Sequence, residues 1–140
     1  MAEHLNFIYD NALSLKSAGL VATTAAGSTI LDIGEGFVEG YIVVDMSACE
    51  VATGDEIYTI ALEGSNVAAM SSGSVCLAKK TFGNLVAPMD AAVSTAGRYA
   101  IPFRNDESGT LYRYVRTHTT VAGTIATGIN YSAFLAHDLS

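Results

Sequence analysis

Side chains able to act as nucleophiles, metal ligands or acid–base groups are few in this chain of 140 residues, and they stand far apart. None of the three histidines, His4, His118 and His137, has carboxylates or thiols at the spacing a zinc site needs. Cys49 and Cys76 form no CxxC pair, so two buried thiols are expected, with a disulfide between them the open alternative. The glycine-rich "GEGFVEG" places glycines at 34, 36 and 40, one residue off the dinucleotide spacing. It leads into a strand-like run, and Glu35 and Glu39 would repel a phosphate. Asp55 and Glu56 follow Gly54 without the further alternating oxygen donors of a calcium loop, and Asp106–Glu107 falls in a second polar turn. Neither a GxSxG elbow nor a Cys–His signature occurs. These residues predict no enzyme: no catalytic residue, no cofactor and no metal.

What the chain does concentrate is cationic and aromatic. "FRNDESGTLYRYVR" (103–116) contains Arg104, Arg113 and Arg116, and Arg98, the fourth arginine, lies just upstream. Tyr112 and Tyr114 alternate with them, which is one signature of nucleic-acid binding. The charge balance opposes that reading, because 14 acidic residues face 7 basic ones and the net charge is −7. Four arginines against Asp106 and Glu107 give residues 98–116 a charge of +2, leaving −9 for the rest. An acidic chain with one basic strip is better suited to another protein than to a polyanion.

The stretch reads as a hairpin turning over Asn105–Gly109. With the turn centred on Glu107, Phe103 faces Leu111, Ile101 faces Arg113 and Tyr99 faces Val115. On the other surface Ala100 faces Tyr114, Pro102 faces Tyr112 and Arg98 faces Arg116. Directly opposed arginines repel unless an anion sits between them. An arginine among apolar neighbours needs a carboxylate or carbonyls. Arg98, Arg104, Tyr112, Arg113, Tyr114 and Arg116 are therefore the candidate interface residues. Their arginines are expected to meet carboxylates, either within one subunit or on a neighbour at acids such as Asp45, Asp55, Glu56 or Glu63.

The elements that must carry these residues are strands. Apolar–polar alternation marks 28–34, 40–49, 56–64, 74–82, 97–105, 110–121 and 128–137, punctuated by 13 glycines. Ile42, Val44 and Met46 share one face of their run, and Tyr58, Ile60 and Leu62 share one face of theirs. Helical periodicity is weak, with 5–15 and 88–94 the best short candidates. The pattern predicts an all-β, jelly-roll-like β-sandwich of about seven or eight antiparallel strands. Residues 26–140 are expected to form one domain, preceded by an extended N-terminal arm over residues 1–25 that packs on a neighbour. Deleting residues 1–20 should then weaken assembly more than the fold.

Half the residues are hydrophobic and only 15% are charged, which suits a globular domain with part of its surface covered by a partner. The N-terminus lacks the basic start and apolar core of a signal peptide, so synthesis in the cytoplasm is expected. Residues 117–136 carry no formal charge, but five threonines, Gly123, Gly128, Asn130 and Ser132 interrupt them, and no membrane span is expected.

The run "GRYAIPFRNDESGTLYRYVR", followed by "TVAGTIATGINYSAFLAHD", resembles the capsid cement (decoration) proteins of short-tailed bacteriophages. The likeness rests on Gly97-Arg98-Tyr99, Pro102-Phe103-Arg104-Asn105, Gly109-Thr110, Tyr112-Arg113-Tyr114, Arg116, Ala122-Gly123-Thr124 and Thr127-Gly128. It covers residues 97–138 best and weakens through "LDIGEG". His118 and Phe134 stand where members more often carry, respectively, an aromatic or aliphatic residue and a tryptophan. The resemblance implies a jelly-roll homotrimer on the outside of the virion capsid, bridging neighbouring major capsid proteins, with no direct contact to nucleic acid. The alternative is a receptor- or carbohydrate-binding β-sandwich module of a phage tail fibre.

Overall fold

The computed structural model describes residues 13–84 and 94–136, which form antiparallel sheets and no α-helix. Seven long strands carry the fold: β1 (Ser14–Val21), β4 (Glu39–Cys49), β5 (Ile57–Ser65), β6 (Val75–Gly83), β7 (Gly97–Arg104), β10 (Tyr114–Ala122) and β11 (Ile129–Ala136). Four two-residue pieces complete the set: β2 (Ala25–Ala26), β3 (Leu31–Asp32), β8 (Asp106–Glu107) and β9 (Thr110–Leu111). The total of eleven exceeds the expected seven or eight because of these short pieces. The run at 28–34 contributes only Leu31–Asp32.

One sheet has the order β1–β11–β4–β7, and the facing sheet has the order β2–β10–β5–β6 with β3 also on β10. Strand parity fills the space between them. Ile42, Val44 and Met46 of β4, with Ile129, Tyr131, Ala133 and Leu135 of β11, meet Tyr58, Ile60 and Leu62 of β5 and Val115 of β10. This is a β-sandwich core built by period-two alternation. Across it, the hydroxyls of Thr119 and Tyr131 share a buried 2.6 Å hydrogen bond between the two sheets. Phe82 of β6 meets Tyr99 of β7 edge to face at 5.2 Å, closing one side of the sandwich. On the outer face of the first sheet, Val43, Phe134 and Ala136 form a smaller buried cluster with Tyr41 against it.

Two expectations are corrected. The first is the extent of the arm. Ser14–Val21 is an edge strand paired with β11, and its Leu15 is buried in the core. The weak alternation of "SLKSAGLV" hid it, because only Leu15 in this strand is fully buried and two register shifts interrupt the ladder. Deleting residues 1–20 would therefore remove most of a core strand. Residues 1–12 lie outside the described residues, as does most of each helix candidate, 5–15 and 88–94.

The second is the 97–116 hairpin. Every residue of β7 pairs with β4, Arg98 opposite Asp45 and Phe103 opposite Gly40. β10 lies in the other sheet, with Arg116 opposite Glu63. Only the tip is a hairpin: Glu107 pairs with Thr110 around Ser108 and Gly109, both at positive φ (51° and 83°). This two-residue turn replaces the expected five-residue loop centred on Glu107, so Asp106 and Glu107 are paired strand residues and the expected register does not form. Beyond it the chain crosses from one sheet to the other, so Arg98 never faces Arg116.

The strands place two sets of loops at opposite ends. The lower end gathers residues 33–38, 65–74 and 105–113. The upper end gathers residues 50–56 and 123–128.

Candidate functional site

The lower end is organised by Asn105, which is fully buried. Its Oδ1 accepts the Val38 amide at 2.8 Å, and its Nδ2 donates to the carbonyls of Gly36 at 2.9 Å and Tyr112 at 3.1 Å. Its own amide donates to the Val38 carbonyl, and its carbonyl accepts the Tyr112 amide. One side chain thus ties three segments at the point where the chain leaves one sheet for the other. A buried amide satisfied this completely holds its loops in one geometry.

Arg113 makes the second tie. Its Nε and Nη2 grip both Asp32 oxygens at 2.8 and 2.9 Å, and Nη1 reaches Glu35 at 3.0 Å. Its backbone amide donates to Asn66 Oδ1, its carbonyl accepts the Ile33 amide, and its guanidinium lies 5.4 Å from the Tyr114 ring centroid. Asn66 Nδ2 donates to the Leu111 carbonyl at 2.9 Å. The bonds from Arg113 and from the Gly34 amide hold the Asp32 carboxyl below its usual range. The same contact with Asp32 raises Arg113 further. A fork-shaped bidentate grip of this kind is specific to arginine.

The remaining arginines are also bonded within the chain. Arg98 grips Asp45 across the β7–β4 pair at 2.6 and 2.9 Å, with its guanidinium 5.5 Å from the Phe134 ring centroid. Arg116 bonds Glu63 across the β10–β5 pair at 2.9 Å and the Met70 carbonyl at 3.3 Å. Arg104 meets Asp106 at 3.1 Å and covers the Phe37 ring at 5.4 Å. Within the single chain, each arginine has a carboxylate of its own chain. Asp45 and Glu63, put forward as acids of a neighbour, are those partners. Asp55 and Glu56 bond instead to loop amides and a hydroxyl at the other end of the sandwich.

Of the six candidate residues, Arg104, Tyr112, Arg113 and Tyr114 converge on the lower end. Arg98 stands on the outer face of one sheet and Arg116 on the outer face of the other. Sequence reasoning missed Asn105, Asn66 and Asp32, which brace this end. It also missed Phe37, Val67 and Leu111, which it exposes at 51%, 39% and 39%. A cleft of about 640 Å³ is lined by Phe37 and Arg104 together with Tyr41, Pro102 and Phe103. Beside it lies a hollow of about 320 Å³ lined mainly by Leu31, Ile33, Val38, Phe103 and Leu135.

The upper end is built differently. The enclosed Glu56 carboxylate accepts the amides of Thr53, Gly54 and Asp55 at 2.8–3.0 Å and Asn84 Nδ2 at 3.1 Å. Burial acts to raise its pKa, but a hydrogen bond shared with the Glu50 carboxyl and those from the backbone amides outweigh that and bring it from 4.5 down to about 2. Glu50 accepts the amides of Ala126 and Thr127, and Asp55 accepts the amide and hydroxyl of Thr124. These acids fasten loops to each other. Cys49 and Cys76 are both free thiols, but Cys49 is only half-buried and Cys76 is exposed, so the expected pair of buried thiols is corrected; burial, then Glu50 and Glu56, push Cys49 up to about 11. Among the described residues, no three His, Cys, Asp or Glu side chains cluster closely enough to hold a metal ion.

The lower end presents exposed apolar side chains on loops fixed by ion pairs and buried amide bonds. No protein-family model matches this chain, and no curated protein matches it in sequence.

Proposed function

We propose that the chain is a virion structural protein, a capsid cement protein that binds the outside of a bacteriophage head as a homotrimer and bridges neighbouring major capsid proteins. The residues on which the resemblance rests have structural work in this fold, and that observation carries the reading. Asn105 and Arg113 brace the lower loops. Gly123 and Gly128 adopt φ of +97° and +106° where a Cβ would lie 2.2 Å from the Asp55 carbonyl oxygen and 2.3 Å from that of Val21. Thr124 holds Asp55. A sandwich whose distinguishing residues make it rigid suits a protein that works by occupancy.

The arginines support the same reading by their engagement. A nucleic-acid grip needs cations free to displace counterions from phosphates. Here the guanidinium groups already hold Asp45, Asp106, Asp32 with Glu35, and Glu63.

The test is to assemble heads of the encoding virus without this chain, add the purified protein, and sediment the particles. Saturable binding to the exterior, with a rise in the temperature at which heads release DNA, is expected. Failure to co-sediment would overturn the reading. Binding of the isolated protein to a glycan array would point instead to a tail-fibre module.

A further inference from the structure

We infer that the lower end is the face that docks, and that its partner is a protein surface with an apolar centre ringed by lysine and arginine. The inference rests on the cement reading and adds to it the contacting face and the chemistry of the surface met.

The first ground is where the exposed apolar groups lie. Four large hydrophobic residues stand out as exposed among the described residues, and three of them, Phe37, Val67 and Leu111, belong to this end. They are linked through one framework. Phe37 precedes Val38, which exchanges two hydrogen bonds with Asn105, and Asn105 bonds Tyr112 beside Leu111. The Leu111 carbonyl accepts from Asn66, and Val67 follows. The fourth, Leu20, lies near the upper end of β1. Exposed apolar groups gathered over a rigid frame mark an interaction surface.

The second ground is charge. Around these residues stand Asp32, Glu35, Glu39, Asp106 and Glu107 against Arg104 and Arg113, an excess of three negative charges. Glu39 and Glu107 have no ion pair among the described residues. A second copy presenting the same end would bring like charge against like, which penalises homotypic contact. A cationic rim on the partner answers it. The same sign makes nucleic acid an unsuitable occupant.

The experiment uses the full chain with Phe37→Ser and Leu111→Ser, singly and together, and Leu20→Ser as the control at the other end. All four proteins should melt like the parent, since the changed side chains are exposed. On heads assembled without the chain, each lower-end change should weaken binding about tenfold and the pair about a hundredfold, while Leu20→Ser leaves it unchanged. Glu39→Lys with Glu107→Lys should slow association about tenfold at low salt, and the difference should shrink as salt rises. Hydroxyl-radical footprinting should oxidise Phe37 and Leu111 in the free protein and protect both on heads.

Normal head binding by the Phe37/Leu111 double variant would overturn the inference while leaving the cement reading intact. So would loss of oligomer mass in that variant, which would make this end a self-interface. Protection of both residues in the free protein would also overturn it, by showing that another part of the same chain covers them. If the parent protein binds no heads, the functional reading falls and this inference falls with it.

Discussion

Replacing Asn105 by alanine should be among the most damaging single changes outside the apolar core. The side chain makes three hydrogen bonds, one accepted from the Val38 amide and two donated to the carbonyls of Gly36 and Tyr112, and the residue is fully buried. Alanine leaves one N–H and two carbonyls without the partner that Asn105 supplies. A buried orphan costs about 1–3 kcal/mol, and carbonyls cost less than amides because each has two lone pairs. The expected loss is about 3 kcal/mol, or a fall in melting temperature of roughly 10 °C for a domain of this size. Urea denaturation should show a lower midpoint with an unchanged slope, because native compactness is kept.

Asparagine to aspartate sharpens the test. It keeps the acceptor for Val38 but turns a carboxylate oxygen toward two carbonyls, so it should lose at least as much as alanine at neutral pH. It should recover in part as the carboxyl protonates in acid. Thr110→Ala, an exposed change in the neighbouring turn, should stay within about 0.5 kcal/mol of the parent. A loss below about 1 kcal/mol for Asn105→Ala would refute the claim that this amide braces the crossing between sheets.

Three further outcomes are expected. The carboxyls of Asp32 and Glu56 sit lower in the folded chain than in the unfolded one, so their stabilisation is present above the unfolded pKa and is lost as pH falls through the folded one. Melting temperature should hold from pH 7 to about 5 and fall from about 4.5 toward 2, less steeply in Glu56→Gln. Gly128→Ala should cost about 2 kcal/mol or more by equilibrium unfolding, because φ is +106° and the added Cβ would meet the Val21 carbonyl oxygen at 2.3 Å. Tyr131→Phe should cost about 1–2 kcal/mol by denaturation, since it strands the Thr119 hydroxyl between the sheets.

Strand parity was the part of the fold most legible in the sequence. Ile42, Val44 and Met46 face the core, as do Tyr58, Ile60 and Leu62, because a half-buried strand must alternate. A turn in this region was legible, but its position was not: the loop expected over Asn105–Gly109 and centred on Glu107 is a two-residue turn at Ser108–Gly109, both at positive φ. Partner choice was not. β7 finds β4 more than fifty residues upstream and β10 finds β5 at a similar separation, and no local pattern encodes such pairings. A hairpin is the nearest pairing the turn permits, but the backbone of Arg113 is already committed to Asn66 and Ile33. That commitment ends the ladder after two pairs. The need of each arginine for a carboxylate could be read from charge and parity, and Asp45 and Glu63 could be named. Their placement on the same chain required the tertiary register.

The two ends of the sandwich use acidic residues for opposite purposes, and that contrast bears on how adhesion would work. At the upper end, Glu50, Asp55 and Glu56 are spent on backbone amides, so their charge serves the loops themselves. At the lower end, Arg113 fixes Asp32 and Glu35 in place while Glu39 and Glu107 stay outward, so negative charge rims an apolar surface. A flexible loop presenting Phe37 and Leu111 would lose binding energy to ordering when it met a partner. Asn105 and Arg113 meet that ordering cost during folding, before any encounter. On the proposed docking, Arg113 would contribute to binding without touching the partner: it holds the lower loops in one shape, and a rigid apolar surface with a charged rim suits tight and selective binding.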